Sequence, residues 1–146
     1  MPSPHARGTS TGPDGAPLRA VIIGAGFAGL GMAIALKKDG IDHFVMLEKS
    51  SDVGGVWRDN VYPGLACDVP SCLYSFSFEP KPDWSNAFAR RDEILAYLRD
   101  CAGKYDVRRH VRFGSEVQDA RFDDARAVWT ITLTDGTRFD ADLLIN

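Results

Sequence analysis

A chain of 146 residues, 45% hydrophobic and 25% charged, is long enough to form one domain with its own core. Its formal net charge of -3 lacks the basic field that nucleic-acid binding calls for. No stretch reaches the roughly 20 apolar residues of a membrane helix, and Cys67, Cys72 and Cys101 lack the C-x-x-C spacing of a zinc or redox site. These features predict a cytoplasmic protein with reduced thiols and no metal, and with neither nucleic acid nor a membrane as partner.

Residues 1–17 are rich in Pro, Gly, Ser and Thr and have no apolar signal-peptide core, so they read as a flexible tail. Residues 18–146 read as the ordered unit. Ala20-Val21-Ile22-Ile23 is a short apolar run suited to a strand buried on both faces. A glycine-rich turn, Gly24 to Gly29, opens a helix that runs to about Asp39 and stops at Gly40. His43 to Leu47 forms the next strand, which completes a βαβ unit with a right-handed crossover. From Ser50 to Lys81 the periodicity is weak and the punctuation heavy. A stretch of that kind is uncommon in a compact domain unless it serves a function. Arg91 to Lys104 predicts a helix with Ile94, Leu95, Leu98 and Cys101 or Ala102 on one face, and Val111 to Phe113 a strand entering the core. From Val117 onward the pattern is that of strands. Val128, Thr130, Thr132 and Thr134 alternate with Trp129, Ile131 and Leu133, Asp135-Gly136 marks a hairpin, and Leu143-Leu144-Ile145 is a last apolar run.

Gly24-Ala25-Gly26-Phe27-Ala28-Gly29 is a G-x-G-x-x-G motif. Alone it is weak, but here it follows a strand, opens a helix, and has an acid, Glu48, at the end of the next strand, about 20 residues on. The chemistry accounts for the spacing. Gly24 allows a tight turn, Gly26 lets a pyrophosphate approach the backbone, and Gly29 lets the helix pack close. The helix N-terminus offers unpaired N–H groups and partial positive charge. Glu48 can accept hydrogen bonds from both adenosine ribose hydroxyls and repels a 2′-phosphate, so the site favours FAD or NAD over NADP. Lys49 weakens that exclusion slightly.

Six residues beyond Glu48 comes Gly54-Gly55-Val56-Trp57. A second glycine pair so close to the ribose acid suits a cofactor that continues past the adenosine, such as FAD. Its backbone can follow the ribitol and pyrophosphate, and Trp57 can cover the apolar part of the site. The alternative, a surface loop with a packed tryptophan, stays open on these residues alone.

Gly54-Gly55-Val56-Trp57, Tyr62-Pro63-Gly64, Cys67-Asp68-Val69-Pro70-Ser71, Leu73 to Phe78, Asp83-Trp84-Ser85 and Phe88 to Tyr97 together resemble blocks of the Baeyer–Villiger monooxygenases. The related flavin-containing and N-hydroxylating (class B) monooxygenases share the first of them. The resemblance covers about Arg19 to Asn146 and is most specific from Gly54 to Phe78. It implies an α/β fold: a Rossmann-like FAD-binding domain plus a β-hairpin or meander insertion, in a truncated form of an architecture with two dinucleotide-binding domains. It also implies that Phe27, Gly55, Val56 and Trp57 join Gly24, Gly26, Gly29 and Glu48 in holding FAD. Asp68 would lie near the flavin and the nicotinamide as the catalytic candidate, holding an arginine. Tyr74 would line the flavin, and the Val117 backbone would meet the adenine. Read from the residues alone, Asp68 equally starts a turn before Val69-Pro70, Tyr74, Phe76 and Phe78 are core residues at strand spacing, and Val117 is a buried strand residue.

Enzymes of this kind take a hydride from NADPH, form a flavin C4a-peroxide with O₂, and insert oxygen beside a ketone or oxygenate nitrogen or sulfur. The cofactor carries that chemistry and the protein supplies orientation and charge. They run to several hundred residues, so the resemblance implies that the NADPH site and the arginine partner of Asp68 lie outside these 146 residues. A further segment or a companion chain is the expected partner, and the chain alone is expected to be inactive. Two other readings stay open. One is a non-catalytic nucleotide-binding remnant, and the other a fragment of an NAD(P)-dependent dehydrogenase or reductase.

Overall fold

The computed structural model describes residues 18–146, so the tail expected over residues 1–17 lies outside the described residues. Strand β1 (Ala20–Ile23) pairs in parallel with β2 (Phe44–Leu47), from Ala20 opposite Phe44 to Ile23 opposite Leu47. Helix α1 (Phe27–Lys38) makes the crossover and buries Leu30, Ala33 and Ile34. It ends as its sequence predicts. Gly40 takes φ +81°, its N–H donates to the Lys37 carbonyl at 3.0 Å, and the Ile41 N–H donates to the Leu36 carbonyl at 2.8 Å. This pair of bonds satisfies carbonyls that the helix end leaves open, and only glycine takes that backbone angle without strain.

Two further helices close the helical layer. Helix α2 (Val56–Asp59) is a single turn after the second glycine pair. Helix α3 (Arg91–Lys104) has the predicted bounds, with Asp92 and Glu93 in its first turn and Lys104 in its last, each placed to suit the helix dipole. Its inner face carries the predicted Ile94, Leu95, Leu98, Cys101 and Ala102, and also Tyr97. Strand β3 (Val111–Arg112) then adds to the outer edge of β2. It is shorter than the predicted core strand and only partly buried, because it lies at the sheet edge.

Strands β4 (Val117–Asp123), β5 (Val128–Leu133) and β6 (Arg138–Ala141) form an antiparallel meander. The predicted hairpin at Asp135-Gly136 is present: Gly136 takes φ +84° and the Thr137 N–H donates to the Asp135 carboxylate at 2.8 Å. Strand β7 (Leu143–Ile145) returns to pair with β1 in parallel, which gives the sheet order β3-β2-β1-β7.

The period of two along the parallel strands explains why they are apolar on both sides. Ala20, Ile22, Phe44 and Met46 face α1 and α3 in one core. Val21, Val45 and Leu47 face Ile131, Leu133 and Ala141 of the meander in a second core. Thr130 and Thr132, the alternate residues of β5, are less buried than Ile131 and Leu133.

The segment from Tyr74 to Phe78 corrects the strand-like expectation. A 3₁₀ turn (Ser71–Leu73) leads into a tight turn in which the Glu79 N–H donates to the Phe76 carbonyl at 2.9 Å. The Tyr97 hydroxyl staples it, accepting from the Phe76 N–H and donating to the Glu79 carbonyl, each at 2.8 Å. The three aromatics still pack against the core, with Phe76 buried and Tyr74 and Phe78 partly so. Burial at alternate positions is thus reached without a ladder.

Asp52 ties the loop after β2 to the helical layer. Its carboxylate meets Arg99 Nε at 2.8 Å and Arg108 Nη1 at 2.6 Å, and it caps the Val53 N–H at 2.8 Å. Burial acts to raise the Asp52 carboxyl, but the bonds from Arg108, Val53 and Arg99 outweigh it and hold the group below the ordinary carboxylate range.

Two outcomes are expected. A Cβ on Gly29 would lie 2.1 Å from the Gly24 carbonyl oxygen, so Gly29→Ala should lower the urea unfolding free energy by about 1–3 kcal/mol. The depressed Asp52 carboxyl contributes stability above its unfolded value and loses it as pH falls. Asp52→Asn should therefore be less stable than the parent at pH 7, and the gap should close only below about pH 4, as read from chemical denaturation across pH.

Candidate functional site

The carboxyl ends of the central strands β1 and β2 carry the Gly24–Gly29 turn and Glu48, the end of a parallel sheet at which α/β folds bind ligands. Gly24 takes φ +87°. Its N–H donates to the Leu47 carbonyl at 2.8 Å, which holds the turn beside the end of β2. The N–H groups of Gly26, Phe27 and Ala28 then open α1 and find no acceptor among the described residues. No acidic side chain occupies the first turn of that helix. Its free donors and positive dipole end are left for an anion.

The second glycine pair docks directly on the first turn. The Gly54 N–H donates to the Ala25 carbonyl at 2.9 Å. A Cβ on Gly55 would lie 3.0 Å from Gly26 Cα, and one on Gly54 would lie 2.4 Å from Leu95 Cδ1. Gly54 and Gly55 also take φ +124° and +52°. Glycine is required here both by the backbone angle and by the close approach.

Glu48 locks the arrangement. It is 3% exposed. Oε2 accepts the Ala25 N–H at 2.8 Å, and Oε1 accepts the Ser50 N–H at 2.9 Å and Arg58 Nη2 at 3.2 Å. A buried carboxylate is costly unless paired and hydrogen-bonded, and this one is both. Arg58 reaches further, to the Asp59 carboxylate at 2.8 Å through Nε and to the Asp52 carbonyl through Nη1. Burial works against the guanidinium charge, but Asp59 and Glu48 together raise its pKa above the usual value.

Between these parts lies a cavity of about 440 Å³. Gly24, Gly26, Glu48, Gly55, Val56 and Val117, all singled out in the sequence, line it. Lys49, Arg58, Asp59, Ser115 and Glu116 line it as well. Of these, sequence reasoning singled out only Lys49. Ser115 and Glu116 arrive through the tertiary fold, since the Ser115 N–H donates to the Glu48 carbonyl at 2.9 Å. Val117 opens β4 beside a register shift and is half-buried.

Gly29, Phe27, Trp57, Tyr74 and Asp68 stand outside that lining. Gly29 sits under the turn against Gly24. Trp57 is buried, with its indole N–H on the Tyr74 hydroxyl at 3.1 Å and the rings edge-on at 5.5 Å. Phe27 lies edge-on to Tyr74 at 5.2 Å. These three form one aromatic wall behind the glycine turns. Asp68 is exposed, so its carboxylate is solvated and needs no buried partner. A larger hollow of about 580 Å³ lies over the polar meander residues Gln118, Asp119, Arg121, Thr130, Thr132 and Arg138. It has no open helix end or glycine turn on its wall.

A family model for the NAD(P)-binding Rossmann-like domain matches residues 22–91. A Baeyer–Villiger monooxygenase of Streptomyces coelicolor is 47% identical over 129 residues, which are 88% of this chain and 25% of that protein. A steroid monooxygenase bound to NADP superposes with a TM-score of 0.80 at 40% identity, over 86% of this chain and 25% of the other. The enzyme OTEMO, in complex with FAD and NADP, superposes with a TM-score of 0.80 at 34% identity, over 87% and 25%. The chain therefore spans about a quarter of the length of the relatives it matches. The shared fold and the extent of identity make this chain similar to about one quarter of the length of Baeyer–Villiger monooxygenases.

Proposed function

We propose that this chain is the FAD-binding portion of an NADPH- and O₂-dependent flavin monooxygenase that converts ketones to esters or lactones. The observation that carries the reading is the backbone cradle: Gly26 against Gly55, with the N–H groups of Gly26, Phe27 and Ala28 free above it. A pyrophosphate needs donors it can approach without side chains in the way, and this cradle supplies them. Glu48 and Val117 both line the cavity, where Glu48 would meet the ribose and the Val117 backbone the adenine. Trp57 and Tyr74 would act from behind the cradle, as the aromatic wall that fixes the second glycine pair.

FAD would supply the oxygen-insertion chemistry when bound. The residues of this chain would bind it, orient it and exclude water from its pyrophosphate. Asp68 is exposed among the described residues and is proposed to act only once further polypeptide covers it. The electron donor and the ketone would be bound by the remaining length that the relatives have and this chain does not span.

Incubation with FAD followed by desalting tests the reading. Retained visible flavin absorbance is the expected result, and a colourless protein counts against it. NADPH oxidation by the retained flavin should not exceed that of free FAD. Glu48→Ala should weaken FAD binding by about 1–3 kcal/mol in a fluorescence-quenching titration, because it removes an acceptor for buried donors. An unchanged dissociation constant would show that the ribose end lies elsewhere.

A further inference from the structure

Tyr97 of α3 is 5% exposed, and its hydroxyl acts on the main chain of another segment. It accepts from the Phe76 N–H and donates to the Glu79 carbonyl, each at 2.8 Å. Burial pushes the phenol above its ordinary value, so it stays a donor across the working pH range. A second hold comes through the Glu79 carboxylate, which accepts Lys104 Nζ at 2.7 and 2.8 Å and the Tyr105 hydroxyl at 2.7 Å. On its other side the turn is seated on α1. Phe76 meets the Phe27 ring at 4.4 Å, and a Cβ on Gly31 would lie 2.9 Å from Phe76 Cε1.

The turn in its turn fixes Tyr74, two residues before Phe76. The Tyr74 hydroxyl accepts the Trp57 indole N–H at 3.1 Å, and its ring meets Phe27 edge-on at 5.2 Å. Trp57 follows the second glycine pair in α2, and Phe27 opens α1, with its own N–H among the free donors of the first turn. Tyr74 thus joins the side chains that the two glycine turns carry. None of Tyr74, Phe76 and Tyr97 lines the cavity, so their effect on a ligand passes through the backbone in front of them. Donors already held at the right spacing lose less freedom when an anion arrives.

Resting on the reading of the glycine cradle as an FAD site, we propose that Tyr97 is its positioning residue. The hydroxyl fixes the Phe76–Glu79 turn, the turn seats Tyr74 against Trp57 and Phe27, and Tyr74 sets the spacing of the two glycine turns.

Fluorescence-quenching titration of the full 146-residue chain with FAD tests this, under conditions where urea unfolding curves show every variant folded. Tyr97→Phe should weaken FAD binding by about tenfold, the equivalent of one hydrogen bond, and so should Tyr74→Phe. The double variant should lose less than about twofold beyond either one, because both act along one line of contacts. Val107→Ala truncates a fully buried side chain beyond the far end of α3. It should lower the urea midpoint and leave the FAD dissociation constant within about twofold of the parent. A merely structural Tyr97 would behave like Val107, with a lower midpoint and unchanged affinity, which overturns the proposal while the FAD reading stands. Losses that multiply in the double variant overturn it too, since Tyr97 would then act by a route other than Tyr74. If the parent chain does not bind FAD, the FAD reading itself fails and the proposal falls with it. Should Tyr97→Phe not fold, Tyr105→Phe takes its place, because it loosens the same turn through Glu79. It should weaken FAD about threefold in the parent and not at all in Tyr74→Phe, and unchanged affinity in the parent overturns the proposal.

Discussion

The Glu48 carboxylate is shared between the Ala25 N–H, the Ser50 N–H and Arg58, and the shape of both glycine turns depends on that sharing. Desolvating a carboxylate costs several kcal/mol unless each lone pair finds a donor. Here the donors come from three separate pieces of chain, so the cost is offset only when all three are in place. The Ala25 N–H fixes the first turn, and the carbonyl of the same residue receives the Gly54 N–H. Gly55 is thereby brought against Gly26, so closely that a Cβ on Gly55 would lie 3.0 Å from Gly26 Cα.

The parallel sheet is covered by two layers. The helical layer buries one set of alternate strand residues and the meander buries the other. Neither layer reaches over the carboxyl ends of β1 and β2, and the cavity is what remains between them. Arg58 links that cavity to the Asp52 clamp, whose carboxylate holds Arg99 of α3 and Arg108 beyond it. A continuous set of polar contacts thus runs from the cavity wall to the outer helix.

Much of this could be read in the chain because the signals are local. Ala20–Ile23, the helix from Phe27 and the helix over Arg91–Lys104 follow from runs and periodicities within one element. Gly40 and Gly136 mark their turns because a positive φ leaves few other choices. Other features are set by distant partners. Ser115 and Glu116 reach the cavity because β3 pairs with β2, and no local pattern encodes that pairing. Arg58 follows Trp57 in sequence, yet its role appears only once Glu48, Asp59 and the Asp52 carbonyl surround it. The alternation of Tyr74, Phe76 and Phe78 reported burial correctly and backbone shape wrongly, because the Tyr97 hydroxyl supplies the hydrogen bonds that a strand would otherwise need. Asp68 had the sequence context of a site residue, but the described residues leave it in solvent.

Strand β1 takes its two neighbours from opposite ends of the chain: β2 follows after one helix, whereas β7 pairs with it through Ala20 opposite Leu143. Arg19 and Asp142, 123 residues apart, clamp the start of that pairing through the Arg19 N–H at 2.8 Å. During synthesis the β1–α1–β2 unit can assemble early, but one edge of β1 must wait until the meander has been made. The waiting edge is short and apolar, the kind of surface that pairs with the wrong chain when closure is slow. Closing so large a loop also makes this the step most costly in chain entropy, so the rate of productive folding should follow how quickly the meander forms and delivers β7. The meander is thus more than an insertion beside the cavity: the chain that leaves it forms β7, the strand that completes the sheet on which the cavity is built.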